Sequence, residues 1–148
     1  MEKTTEWLKC LQENGYRVTA PRQVVVAVIA ESQRALNPFE VHEIARRQYP
    51  KLGLVTVYRT LEKLEELHLI QRVHQPSGCQ AFVTAFSGHQ HLLICKDCGK
   101  VEFFEGDGEG IDSLIQNIHH RSGYIIDDHW LQLFGHCERC QSTHNASW

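Results

Sequence analysis

Two Cys-x-x-Cys pairs place the strongest limit on what this chain can fold into. Cys95-Lys-Asp-Cys98 and Cys137-Glu-Arg-Cys140 are separated by 38 residues, counting 99 to 136. Each pair puts two sulfurs on one tight turn, which is half of a tetrahedral thiolate site for zinc. Gly99, directly after the first pair, lets that turn fold back on itself. The gap exceeds the ~15–20 residues of a compact zinc ribbon. An ion here would staple two ends of a small domain rather than fold a single finger. Cys95, Cys98, Cys137 and Cys140 are therefore read as a closed structural zinc site. Disulfides fit less well, because the opening MEKTTEWLKC has no basic-then-apolar secretory pattern.

With 148 residues the chain can bury a core and form one domain or two small ones. Its longest apolar run, Val24 to Ala30, is seven residues, far short of the ~18–20 of a membrane span. The expectation is a soluble cytoplasmic protein, not at a membrane, whose cysteines stay reduced and available to metal. Charge is uneven. Residues 1–87 carry 11 Lys+Arg against 9 Asp+Glu, and residues 88–148 carry 4 against 9. Seven of the ten histidines lie from His89 onward. A mildly basic first half and an acidic, His- and Cys-rich second half suggest nucleic acid at one end and metal at the other.

Apolar periodicity predicts a short helix over 2–14, with Trp7, Leu8 and Leu11 on one side and Gly15 as its stop. Thr19-Ala-Pro21 opens a second, core helix, with Thr as N-cap and Pro in the first turn. Asn37-Pro38-Phe39-Glu40 opens a third, which ends before Pro50. In the stretch 54–67, Leu54, Val57, Leu61 and Leu64 share one helical face. Val55, Thr56, Arg59 and Lys63 lie opposite, with Tyr58 at the edge. An apolar back and an Arg/Thr/Tyr/Val front suit a DNA major groove, where Arg and Thr meet phosphates or base edges and Val a thymine methyl. Two short strands joined by Pro76-Ser-Gly78 follow. Three helices and a hairpin make a winged helix-turn-helix.

The segments Arg17-Val-Thr-Ala-Pro-Arg22, Thr56-Val-Tyr-Arg-Thr-Leu, Leu69-Ile, His89-Gln-His91, Cys95-x-x-Cys98-Gly-Lys and Cys137-x-x-Cys140 occur in one order. Together they resemble the ferric uptake regulator (Fur) family of metal-sensing bacterial repressors, over residues ~10–140. The resemblance implies an α+β chain, with a winged-helix DNA-binding domain over 1–86 and a small α/β dimerisation and metal-binding domain over 87–148. It implies a homodimer on palindromic, A/T-rich operator DNA, with half-sites ~34–36 Å apart. By likeness, Tyr58 touches bases, Arg59 and Arg22 hold phosphates, and Arg17 matches a basic position that enters an A·T-rich minor groove. One departure is His68, where the family usually carries Gly at the helix C-terminus.

In the second half, 111–121 reads as an amphipathic helix with Ile111, Leu114, Ile115 and Ile118 inward, and 124–134 as a strand. Phe103, Phe104 and Leu133 are candidate contributors to the dimer interface that the resemblance implies. His144 falls in a tail expected to be disordered. His89 and His91 alternate on a strand, so both imidazoles point one way, as two ligands to one ion must. His129 is a third candidate. The resemblance adds a helix-borne carboxylate. Asp112 stands 17 residues before His129, and Glu109 is the alternative. Gln90, Leu92 and Val83 stand where the family's second regulatory site often has ligands. Cys79 and His74, flanking the wing turn, form a possible variant hinge set.

These residues point to a metal-dependent repressor of metal-ion homeostasis and not an enzyme, with structural Zn(2+) and a second, regulatory divalent ion. A soft Cys79 ligand would favour zinc at the second position, while a His/carboxylate set suits Fe(2+) or Mn(2+) equally. An iron- or manganese-responsive or peroxide-sensing regulator is the alternative. A zinc hydrolase on His89, His91 and His129, with Asp127 or Asp128 as base, leaves the Thr-Val-Tyr-Arg helix without a role. A thiol-redox sensor on the knuckles requires that zinc be held loosely.

Overall fold

The computed structural model describes residues 1–74, 80–85, 90–105, 109–129 and 131–144. The chain divides into two compact units, Met1–Phe86 with Cys98–Lys100, and Ser87–Asp97 with Val101–Trp148.

The first unit is built on four helices. α1 (Glu2–Glu13) buries Trp7 and Leu11. α2 (Ala20–Glu31) is capped by Thr19 and buries Val25, Val26, Ile29 and Ala30. α3 (Pro38–Ala45) begins with a complete capping box, in which Asn37 and Glu40 each accept from the other's backbone N–H, at 2.8 Å and 3.1 Å. That reciprocal bond satisfies two of the amides a helix start leaves open, and so fixes the start at Pro38. α4 (Leu54–Glu66) buries Val57, Thr60, Leu61 and Leu64. The four helices close on one core that also takes in Leu36, Val41, Ala45, Leu52, Ile70 and Phe82. Each fully buried Val or Leu adds roughly 1.5–3 kcal/mol of transfer free energy.

β1 (Ile70–His74) and β2 (Gln80–Thr84) pair antiparallel, Ile70 opposite Thr84 and His74 opposite Gln80. Phe82 also exchanges both backbone bonds with Leu36, at 2.8 and 3.1 Å, so the wing is tied to the α2–α3 connection. The turn residues Pro76 to Gly78 and Cys79 lie outside the described residues. This is the winged helix-turn-helix read from the sequence.

The second unit holds a three-stranded sheet of order β4-β3-β5. β3 (Gln90–Cys95) runs antiparallel to β4 (Val101–Glu105). After the crossover helix α5 (Glu109–Ser122), β5 (Gln132–Gly135) returns parallel to β3, with Cys95 opposite Gly135. A further helix, α6 (Glu138–His144), closes the chain's described part.

Three expectations change here. The strand predicted over 124–134 is confined to Gln132–Gly135, and 123–129 has no regular structure. The run Tyr124-Ile-Ile-Asp-Asp lacks the period-two alternation a half-buried strand needs, and Ile125 is 82% exposed. On α5, Leu114 and Ile118 do not point inward but are 58% and 42% exposed in the single chain. This side of α5 is apolar and stands open among the described residues. The tail expected to be disordered is helical as far as His144.

The ends of α1 and α4 form one motif with different residues. After α1, Gly15 N–H bonds Gln12 C=O at 3.0 Å and Tyr16 N–H bonds Leu11 C=O at 3.0 Å. After α4, His68 N–H bonds Glu65 C=O and Leu69 N–H bonds Leu64 C=O, both at 2.9 Å. Both are Schellman caps, which need a left-handed residue at the first position past the helix. Gly15 supplies it at φ 81°, but His68 sits at φ 57° with a side chain. The Cβ pays for that conformation in crowding against the backbone, by about 1 kcal/mol. His68→Gly should therefore stabilise the protein by about 1 kcal/mol. A thermal scan should show the midpoint rising by about 2–4 °C.

Candidate metal centre and nucleic-acid interface

The four knuckle cysteines converge. Their Sγ atoms all lie within 4.8 Å of one another, with Cys95 buried, Cys98 exposed, and Cys137 and Cys140 half-buried. The parallel register of β3 and β5 is what brings them together. Cys95 ends β3 opposite Gly135, and Lys96 N–H donates to Gly135 C=O at 2.8 Å. Two residues on, the Cys137 N–H donates to Cys95 Sγ at 3.3 Å. Gly99, at φ 74°, takes the left-handed step that closes the first knuckle. Four sulfurs around zinc at ~2.3 Å stand about 3.8 Å apart, so this cluster fits a tetrahedral four-thiolate ion with little movement. An N–H aimed at Cys95 Sγ also suits a thiolate ligand. Among the described residues, this is the group of three or more His, Cys, Asp or Glu whose ligand atoms gather.

Of the other proposed ligands, His91 lies on β3 and is 3% exposed. Its ring centroid is 5.2 Å from that of His129, which is half-buried in the irregular stretch before β5. Phe104 flanks His91 from the facing position on β4, with ring centroids 5.4 Å apart. Asp112 is in the first turns of α5 and exposed. Glu109 begins α5, but its side chain lies outside the described residues, as do His89 and Cys79. His74 ends β1 at an exposed position. The structure thus brings two of the four favoured regulatory residues side by side.

The front of α4 is open. Val55 is 62% and Tyr58 47% exposed, and Arg59 is exposed beside them. Thr56 is half-buried, and its C=O accepts a bond from Thr60 Oγ1 at 2.7 Å. Sequence periodicity left Thr60 aside, yet it is fully buried, its hydroxyl satisfied within the helix. Arg17 is exposed on the α1–α2 connection, and Arg22 donates from Nη1 to the Arg17 C=O, so it braces the loop that presents Arg17. Two further contacts fix α4. His42 Nε2 bonds Leu52 C=O at 2.8 Å, fastening α3 to the turn just before α4. Tyr16 donates its hydroxyl to Glu66 Oε2 at 3.2 Å while Lys63 lies over its ring at 4.5 Å.

A model of the ferric uptake regulator family matches residues 13–134. This chain belongs to that family. It is 33% identical over 136 residues to the ferric uptake regulation protein of Cupriavidus metallidurans, covering 90% of this chain and 93% of that protein. The Helicobacter pylori ferric uptake regulator, whose structure revealed three functional metal-binding sites, superposes with a TM-score of 0.69 at 25% identity. That match covers 95% of this chain and 93% of its own. A zinc-bound manganese uptake regulator superposes with a TM-score of 0.70 at 28% identity, covering 91% and 99%. Fur-family proteins are metal-responsive, DNA-binding transcription regulators and not enzymes, and the four-cysteine cluster is compatible with their zinc chemistry. Among the described residues no helix is long and apolar enough to cross a membrane.

Burial first, then the Glu66 hydrogen bond and charge, raise the Tyr16 phenol above its ordinary value of 10.0. The folded chain therefore holds this proton where the unfolded chain has released it. Stability from the pair is intact below about pH 10 and declines as pH rises beyond it. Tyr16→Phe should lose that part of the alkaline decline. Urea unfolding at about pH 9 and about pH 11 would measure it, as the difference between the two slopes.

Proposed function

We propose that this Fur-family chain is a homodimeric, zinc-responsive repressor of metal-ion homeostasis, acting in the cytoplasm. Residues 1–86 read operator DNA, and residues 87–148 dimerise and sense metal. The observation that carries the reading is the pairing of two centres in one chain. Four converged cysteines suit a permanent ion, and the His91–His129 pair, 5.2 Å between rings, suits an exchangeable one.

At the DNA, Tyr58 meets base edges, with Thr56 and Arg59 beside it on α4. Arg59 and Arg22 neutralise phosphates, and Arg17 reaches the adjacent minor groove of an A/T-rich palindrome. Exposed Phe103, Leu114, Ile118 and Leu133 supply apolar surface for a second copy.

The regulatory ion is held by His89, His91 and His129 with a carboxylate from Asp112, or from Glu109. Cys79 and His74 are the alternative ligands, and a thiolate among them would select zinc over Fe(2+) or Mn(2+). An all-imidazole and carboxylate set would make the iron- or manganese-responsive reading the better one. Metal that prefers the DNA-competent arrangement raises operator affinity, and bound operator raises metal affinity by the same factor.

Elemental analysis before and after dialysis against EDTA tests the two centres. About one zinc per chain should survive, and about one further ion should be lost. Cys95→Ser should lose the retained zinc and the dimer. His91→Ala should keep both and lose at least about tenfold in metal-dependent operator affinity. A monomeric His91→Ala on size exclusion, or a Cys95→Ser that keeps its zinc, would overturn this assignment. Arg59→Ala should weaken binding to all sequences alike and lower the salt slope by about 1.

A further inference from the structure

The two knuckles are joined by more than their sulfurs. Asp97 stands one residue before Cys98, and His136 one residue before Cys137. His136 Nδ1 lies 2.6 Å from Asp97 Oδ2. A carboxylate only accepts, so the ring N–H donates, and the bond forms with the imidazole neutral as well as charged. Two backbone-donated bonds run beside it between the same segments, Lys96 N–H to Gly135 C=O at 2.8 Å and Cys137 N–H to Cys95 Sγ at 3.3 Å. The two side chains are 37% and 31% exposed, so the bond sits at the rim of the cluster. Screening there keeps its energy small. Its contribution is geometric.

We propose that Asp97 and His136 form a positioning clasp that holds the two knuckles at ligand spacing and thereby slows the loss of the structural ion. This rests on the zinc reading of the four cysteines. Loss of a bound zinc would begin when one sulfur lets go. If the knuckle then swings away, a chelator enters. If the clasp keeps the sulfur close, the thiolate recaptures the ion first. The clasp also answers a charge problem. Four thiolates on a divalent ion leave two net negative charges, which would push a neighbouring carboxylate outward. The His136 N–H gives Asp97 a partner on the other knuckle, so the repelled group is held across the joint.

The test uses the full-length zinc-loaded protein and follows zinc transfer to excess 4-(2-pyridylazo)resorcinol by absorbance. His136→Ala and Asp97→Ala should each release zinc roughly 2–5-fold faster than the parent chain. The double variant should be no faster than either single one, because both remove one bond. His136→Asn, whose amide N–H falls near the position of Nδ1, should restore most of the slow release, while His136→Gln should not. This Asn/Gln comparison stands even where the alanine variants fail to fold. Circular dichroism and size exclusion should be unchanged in the folded variants, which separates the clasp from a general role in the fold. Equal rates for Asn and Gln, an alanine variant releasing at the parent rate, or multiplying effects in the double variant would each overturn the clasp alone. A parent chain that binds no zinc would overturn the zinc reading and the clasp with it.

Discussion

Four cysteine sulfurs gathered within 4.8 Å of one another form the constraint on which the second unit depends. As thiolates they repel, and as thiols they make weak bonds, so the arrangement suits a shared cation. Everything that delivers them is arranged to that end. β3 stops at Cys95, and β5 returns parallel to it after a crossover that includes α5. The register puts Gly135 beside Cys95, which fixes where Cys137 must fall. The 38 residues between the knuckles, from 99 to 136, thus span a strand, a helix and a return strand. An ion held at the ends of these two parallel strands would close a sheet with three strands among the described residues.

In the first unit the deciding property is the division of α4 into two faces. Val57, Leu61 and Leu64 are buried to within 1% of complete, so the helix cannot rotate without exposing them. That fixes the outward direction of Tyr58 and Arg59. The loops on either side are held by contacts of a different kind. His42 grips the turn before α4, and Tyr16 grips its last turn through Glu66 and Lys63. A helix whose core side and both ends are fastened presents its exposed side chains with little freedom to lose on any binding.

Much of this was legible in the sequence, and the failures have physical causes. Helix starts were readable because capping is local. Thr19 and Asn37 each bond an amide three residues on, and that spacing is written in the chain. The cysteine spacing was equally local within each knuckle. What escaped were properties that depend on a second surface. The apolar period of α5 points Leu114 and Ile118 inward, yet they lie open in the single chain. An amphipathic pattern says that a face will be covered, not what covers it. Thr60 was missed for the converse reason, since a hydroxyl that bonds back to Thr56 C=O behaves as a core side chain. Asp97 and His136 did carry a signal, because each directly precedes a cysteine of a knuckle, but their pairing needed the register of two distant strands.

The parallel pairing of β3 with β5 also governs when the parts of this protein can form. The core of the helical unit runs from Trp7 to Phe82 and is complete early in synthesis. Cys95 and Cys98 then leave the ribosome ahead of Gln132–Gly135 and the second pair, when β3 can pair with β4 on one edge only. Contacts between such distant segments form slowly, since a long loop must close before any pairing rewards it. The nascent chain therefore carries half of the four-cysteine set and a strand with one open edge for the time taken to make some forty further residues, and nascent chains grow at about 5–20 residues per second. Over those few seconds the chain has a folded domain at its front and an incomplete four-cysteine cluster behind it.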